Sequence, residues 1–494
     1  MRATIKEAAV MGAHYNSIII GAGFGGTGMA IQLKQRGEDS LLVIEKAGDV
    51  GGTWRDNTYP GAACDVPSHL YSYSFEPKFD WSRRFAPQAD IFAYLRHCAD
   101  KYDVRRHVRF NTEVSGARFD EDSKLWQVET TTGEHFTARF LITATGQLNR
   151  PAWPHIAGED TFRGTRFHSA RWDHSVDLKG KRIAVIGTGA SAIQFVPAIA
   201  DNVGQLTLFQ RSAPWVVPKP DRSYHRVEQQ LMEKLPLLQK LDRARVYAMY
   251  ETRVLAFTNL QRIMKVYEFN ALRYLRKFIR DPALQQKLTP DYPIGCKRIL
   301  ISNDYLPALA RDNVSVVTDA IECFDSDGLR TRDGTHHPAD VVIYGTGFQA
   351  TDFLAPMQIT GRAGRDLNQV WRDGAEAYLG MTVHGFPNLF MLYGPNTNLG
   401  HSSIIYMLES QMNHVLACMD AMQDAGADTL EVRDTVQSDF NRDLQARITN
   451  SVWDQGCTSW YKTESGKNTN NWPGFTFNYR LLTRNVNHDD YQFS

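Results

Sequence analysis

The spacing of apolar residues changes several times along the chain, and each change marks an element. Asn16 to Ile20 is a short β-branched apolar run that ends in glycines, followed by helical spacing through Arg36 and a second apolar run, Leu41 to Ile44. That order predicts strand, tight turn, helix, strand. The order recurs at Arg182 to Ile186, with glycines, a helix to about Ala200 and a strand from Leu206 to Phe209. Phe140 to Gly146 and Asp340 to Phe348 read as two more buried strands, each closed by a glycine turn. From Asp221 to Pro290 the strand signal vanishes, while Val246, Tyr250, Val254, Phe257, Leu260, Met264 and Tyr267 recur at helical spacing. An α/β chain with two similar βαβ units and an all-helical insertion in the second is predicted.

The turns carry the chemistry. In the first unit Gly21, Gly23, Phe24 and Gly26 lie between strand and helix, and the second strand ends at Glu45. Glycines there let the backbone approach a pyrophosphate that rests on the helix N-terminus, and the carboxylate accepts from ribose hydroxyls. In the second unit the turn is Gly187, Thr188, Gly189, Ala190 and Ser191, and the slot equivalent to Glu45 is Arg211, followed by Ser212. Both slots lie 24 positions after the first glycine. A guanidinium suits a 2′-phosphate and a carboxylate repels one, so two Rossmann-like dinucleotide-binding units are expected, the second selecting NADPH. After Glu45 comes another glycine-rich turn, Gly51, Gly52, Thr53 and Trp54, then Tyr59-Pro60-Gly61 and Asp65, which would bring backbone amides to a flavin.

At 494 residues two or three domains are expected. Lys+Arg and Asp+Glu balance at 55 each, which argues against nucleic acid as a partner. Met1 to Tyr15 is charged and lacks the apolar stretch of a signal peptide, and Gly385 to Leu408 is interrupted by Pro387, Gly394 and Pro395. A cytoplasmic protein without a stable membrane span is expected. Six dispersed cysteines show no C-x-x-C or metal spacing and are expected to be reduced thiols, with no metal site. Nine basic and three acidic residues between Leu241 and Arg280 would allow peripheral membrane contact, but a helical cap over the cleft is the favoured reading. His401 and Glu409 read as a solvent-facing pair, and Thr397 and Asn398 as amides that face a flavin or as a loop and N-cap.

Phe162, Gly164, His168, Trp172 and Asp173 occupy every defined position of F-x-G-x-x-x-H-x-x-x-W-(P/D), and Gly51 to Asp65 fits (A/G)-G-x-W-x-x-x-x-(F/Y)-P-(G/M)-x-x-x-D. With Gly295-Cys296-Lys297-Arg298 and Gly394-Pro395-Asn396-Thr397-Asn398, the chain resembles the type I Baeyer–Villiger monooxygenases over essentially its whole length. The resemblance implies that FAD, NADPH and O2 convert a ketone to an ester or lactone through a flavin peroxide, with sulfide oxidation as a second activity. It implies Arg298 and Asp65 as the catalytic pair and Lys297 as a further 2′-phosphate ligand. Tyr71 and Val114 match positions that touch FAD through ring and backbone, Gly146 at its strand-closing turn is a further cofactor-binding candidate, and Phe162, Gly164, His168 and Trp172 form a structural or hinge motif. Two rivals stand beside it: a heteroatom-oxidising flavin monooxygenase, and a flavoprotein that binds both nucleotides only as a redox sensor or oxidase. Residues 1–150 and 375–494 are expected to form the FAD domain, 151–222 and 296–374 the NADPH domain, and 223–295 the insertion.

Overall fold

The computed structural model describes residues 13–494; the charged lead-in before them lies outside the described residues. The strand His14–Ile20 runs parallel to Leu41–Ile44 on one side and to His135–Thr143 on the other. Ile18, Ile19 and Ile20 are buried, as strands covered on both faces require. The helix Phe24–Gln35 follows and packs against the long helix Ile404–Asp424. Gly21 has φ +100°, and a Cβ there would stand 2.7 Å from the Ala144 carbonyl oxygen. At Gly26 a Cβ would come within 1.8 Å of the Gly21 oxygen, so the entry to this helix tolerates only glycine.

The second unit repeats the construction. Five parallel strands lie in the order Val314–Val317, Gln205–Phe209, Arg182–Ile186, Val341–Tyr344 and Thr165–His168. Gly187 has φ +107°, and its Cβ would stand 2.4 Å from the Gly345 oxygen. In each unit, then, the strand that ends in a glycine turn lies beside the nucleotide strand and closes against its first glycine. The strand Gln358–Thr360 pairs with Val114–Asp120 of the first sheet, so the chain returns to that sheet before the boundary placed at 375. One buried residue, Ile359, is too short a period-2 signal to reveal it.

The helices of the insertion, including Arg226–Lys234, Pro236–Glu251 and Met264–Phe278, rise from a two-residue parallel ladder between Val216–Val217 and Leu300–Ile301. Their inner faces split among three cores, Leu275 of the last of these helices joining that of the second unit. Val246 and Tyr250 join the core of the first unit, while Phe257 and Met264 pack with Trp453 and Tyr461.

The two connections between the units meet at His168. Its ring lies 5.4 Å from that of Trp153 and 6.0 Å from that of Phe348, and Ala152 donates to the Gly347 carbonyl at 2.9 Å. Burial pushes His168 down to about 4 and does the same to His414, which is held between the Thr483 carbonyl and the Tyr491 hydroxyl. Both rings fold neutral, so the unfolded chain takes up their protons first as pH falls. Stability is therefore expected to decline between pH about 6.5 and about 4, by up to about 3 kcal/mol per ring. Calorimetric Tm against pH measures this; His414→Gln should flatten the slope, and an unchanged slope would rule out the His414 contribution.

Candidate active site

The first glycine turns meet face to face. Gly52 has φ +50°, and its Cβ would lie 3.1 Å from the Gly23 Cα. Thr53 opens the short helix Thr53–Asp56, whose Trp54 donates through Nε1 to the Tyr71 hydroxyl at 3.2 Å. Tyr71 packs edge-on against Phe24, with ring centroids 5.3 Å apart. Glu45 is buried at the end of its strand, where its carboxylate accepts from the amides of Ala22 at 2.8 Å and Ala47 at 3.0 Å and faces Arg55 at 3.1 Å. The Thr112 amide donates to the Glu45 carbonyl at 3.0 Å, which sets buried Val114 two residues further on. Gly146 turns at φ +69° with open space where a side chain would stand.

Tyr59 and Gly61 make contacts that the sequence does not suggest. The Tyr59 hydroxyl donates to Gln194 Oε1 at 2.9 Å, Gln194 Nε2 donates to the Ala63 carbonyl at 2.9 Å, and a Cβ on Gly61 would meet the Gln194 oxygen at 2.7 Å. This stretch docks the first unit on the helix Ala192–Ala200 of the second.

Just beyond that contact, Asp65 meets Arg298. Arg298 donates through Nε at 2.9 Å and Nη2 at 2.5 Å to one oxygen of Asp65, and Nη1 reaches the Leu399 carbonyl at 3.4 Å. The side chains remain 27% and 35% exposed, so the pair is reached from solvent. The Asp65 charge raises Arg298 still further above its ordinary value. Two tyrosines that the sequence did not single out stand beside it. Burial pushes Tyr461 up to about 12 against the opposing pull of the Arg298 cation, and Tyr393 is raised by burial as well.

The Tyr393 hydroxyl donates to Asn398 Oδ1 at 2.8 Å, and Asn396 and Asn398 are laced to Asn468–Trp472 by backbone bonds. Gln147 Oε1, Asn396 Oδ1, Asn398 Nδ2 and Asn471 Nδ2 are buried without a protein partner. Such a set of donors and acceptors matches the carbonyls and ring nitrogens of a flavin, so these residues fit one. The signal for the second half was present in the sequence: Asn468-Thr469-Asn470-Asn471-Trp472 is too polar a run to be buried without a purpose.

Around the second glycine turn, Thr188 Oγ1 donates to the Ser212 carbonyl at 3.2 Å, and Lys297 Nζ donates to the Ser212 hydroxyl at 3.1 Å. Burial and the nearby Arg211 cation lower the Lys297 pKa. Gly189 and Ala190 are exposed, and the helix Ala192–Ala200 behind Ser191 has no side-chain cap. Two cations, a hydroxyl and uncapped amides thus converge, a fit for a phosphorylated nucleotide. Phe162 packs 5.5 Å from Phe324, Gly164 leaves room for the Phe162 ring and the Asp340 carbonyl, and Trp172 wedges between Phe167 and Phe195.

Two expectations are corrected. Cys296 and Cys457 form a disulfide and are not reduced thiols. Their sequence separation of 161 gives no local spacing to read, and the fold alone brings them together. Next to Lys297 and Arg298, this link ties the arginine segment to the loop before Tyr461. Cys457→Ser is expected to cost about 2–4 kcal/mol in denaturant unfolding, and equal stability of oxidised and reduced wild-type protein would contradict it. His401 and Glu409 are buried, not solvent-facing. Glu409 accepts from the Ser74 amide at 2.5 Å and lies 3.5 Å from Arg480, whereas His401 faces Glu251 of the insertion at 3.4 Å. Both reasons are tertiary, since the partners come from remote segments.

Two glycine-turn nucleotide units with an arginine–carboxylate pair between them define a pyridine-nucleotide flavoprotein oxidoreductase. The family model for pyridine nucleotide-disulphide oxidoreductases matches residues 18–271. The chain is 48% identical over 483 residues to a Baeyer–Villiger monooxygenase of Pseudomonas aeruginosa, covering 97% of this chain and 92% of that protein. It superimposes with a TM-score of 0.88 on oxidized steroid monooxygenase bound to NADP, at 31% identity over 97% of this chain and 99% of the other. A complex of OTEMO with FAD and NADP gives the same TM-score at 30% identity, with the same coverage. The chain belongs to the Baeyer–Villiger monooxygenase family.

Proposed function

We propose that the protein takes FAD in the first unit and NADPH in the second and oxidises a ketone with O2 to an ester or lactone. In this reading the FAD unit combines the N-terminal segment with the chain from Gln358 onward, the NADPH unit lies between, and the helical insertion caps the cleft. The reaction consumes ketone, O2, NADPH and a proton and yields ester, NADP+ and water. FAD supplies the activation of O2 once NADPH has reduced it. Glu45 accepts from the FAD ribose, and the amides around Gly21, Gly23, Gly26 and Gly52 receive its pyrophosphate. Arg211, Ser212 and Lys297 bind the 2′-phosphate of NADPH.

Arg298 carries the reading. A guanidinium gives up no proton at physiological pH, so it can sit against an oxygen nucleophile without quenching it and still stabilise the oxyanion formed when the ketone carbonyl is attacked. Asp65 takes Nε and Nη2 and thereby aims the remaining edge into the cleft. Tyr393, Tyr461 and the buried asparagines exclude water around that edge. His168 acts as a neutral pivot between the two connecting segments.

The test follows NADPH loss, O2 loss and ester formation together over linear, cyclic and aryl ketones. One ester per NADPH and per O2 with at least one ketone is expected. Oxidation of thioethers or amines with no ketone giving an ester would favour the heteroatom-oxidising reading instead.

A further inference from the structure

The helical insertion has an outer face as well as the inner one that packs on the cores. Among the described residues sixteen large apolar side chains are exposed, and twelve of them lie between Val227 and Phe269. Leu231 precedes the turn residue Leu235, and Leu238 and Leu241 follow it three residues apart on the helix Pro236–Glu251. On the helix Met264–Phe278, Val266 and Phe269 are likewise three apart, 60% and 65% exposed. The opposite face of Pro236–Glu251 supplies Val246 and Tyr250 to the core, so these leucines are not part of the cleft. Soluble monomers rarely concentrate exposed apolar side chains in this way without a partner.

Charge identifies the partner. Between Arg226 and Arg280 ten lysines and arginines are exposed against one exposed carboxylate, Glu233, in a chain whose basic and acidic residues cancel overall. The half-buried carboxylates Glu228, Asp242 and Glu268 are each paired with a neighbouring cation, Arg222, Arg245 and Lys265. A second copy of this face would set cation against cation. A nucleic acid would meet the cations but leave the leucines in water. An anionic bilayer meets both, taking lysines and arginines among its headgroups and leucines at the acyl boundary. No described helix is long and apolar enough to cross a membrane, so the contact lies along the surface.

We propose that the outer face of the helical insertion docks the protein on an anionic lipid surface. The test uses the full-length holoenzyme in flotation with vesicles of phosphatidylcholine containing about 40% phosphatidylglycerol, beside vesicles of phosphatidylcholine alone. Binding at least about tenfold tighter to the anionic vesicles is expected, weakened by raising salt from about 0.1 to about 1 M as the Debye length falls from about 10 to about 3 Å. Leu238→Ser with Leu241→Ser, and separately Lys234→Glu with Lys240→Glu, should each abolish flotation while NADPH oxidation in buffer stays at the wild-type rate. Equal partition into both vesicles, or flotation unchanged by both double variants, would overturn the proposal. So would absence of flotation together with a dimer in light scattering that the leucine variant dissociates, or with DNA retention that the lysine variant loses.

Discussion

Arg298→Ala is expected to leave NADPH-driven flavin bleaching largely intact and to lower ester formation by about 10²–10³-fold, the usual effect of removing a preorganised oxyanion donor. The reasoning rests on position. Arg298 spends two of its N–H groups on Asp65 and remains partly open to the cleft, so its loss removes charge from the reacting side without disturbing either glycine turn. Asp65, itself 35% exposed, stays solvated in the variant, so the fold is retained. Arg298→Lys should rescue little, because an ammonium keeps the charge but cannot hold Asp65 with one edge and the reacting oxygen with the other. Stopped-flow absorbance separates reduction from oxygen transfer, and an Arg298→Ala enzyme that still forms ester near the wild-type rate would remove the arginine from the mechanism.

Arg211→Ala is expected to raise KM for NADPH by about 10- to 150-fold, since a hydrogen bond to a charged phosphate contributes about 1.5–3 kcal/mol and each 1.4 kcal/mol is tenfold. KM for NADH should barely move. Lys297→Ala should act in the same direction because its ammonium bonds the Ser212 hydroxyl and its pKa is lowered by burial and by the nearby Arg211 cation. Equal losses for both coenzymes would mean that these cations shape the loop and do not read the phosphate. Steady-state kinetics with both coenzymes at matched flavin content decides it.

Local physics made the nucleotide units legible. A β-branched strand, glycines at a turn and a helix are neighbours in sequence, and Gly21, Gly26 and Gly187 are required by clashes with carbonyls that any such turn would create. The acid at Glu45 and the base at Arg211 were readable for the same reason, because strand length fixes where the slot falls. Arg298 and Asp65 were legible only as matches to a family pattern. Nothing in their surroundings predicts that two residues 233 apart bond to each other.

What stayed hidden depends on distant segments. The Cys296–Cys457 link, the His401–Glu251 contact and the Asn396–Asn398 lattice with Asn468–Trp472 each join pieces that only tertiary packing brings together. The contacts of Tyr59 and Gly61 are hidden in the same way. Their glycine-rich context pointed to a cofactor, while their partner is Gln194 on the other unit. The outward leucines Leu238 and Leu241 precede the helical repeat that begins at Val246, and periodicity alone does not say which face a helix buries.

The most direct test of the central claim is product mass spectrometry after turnover with NADPH, a ketone and ¹⁸O-labelled O2. An ester or lactone that carries one labelled oxygen, formed in step with NADPH oxidation, is the predicted result. NADPH oxidation that ends wholly in hydrogen peroxide, with no labelled ester from any ketone, would contradict the account.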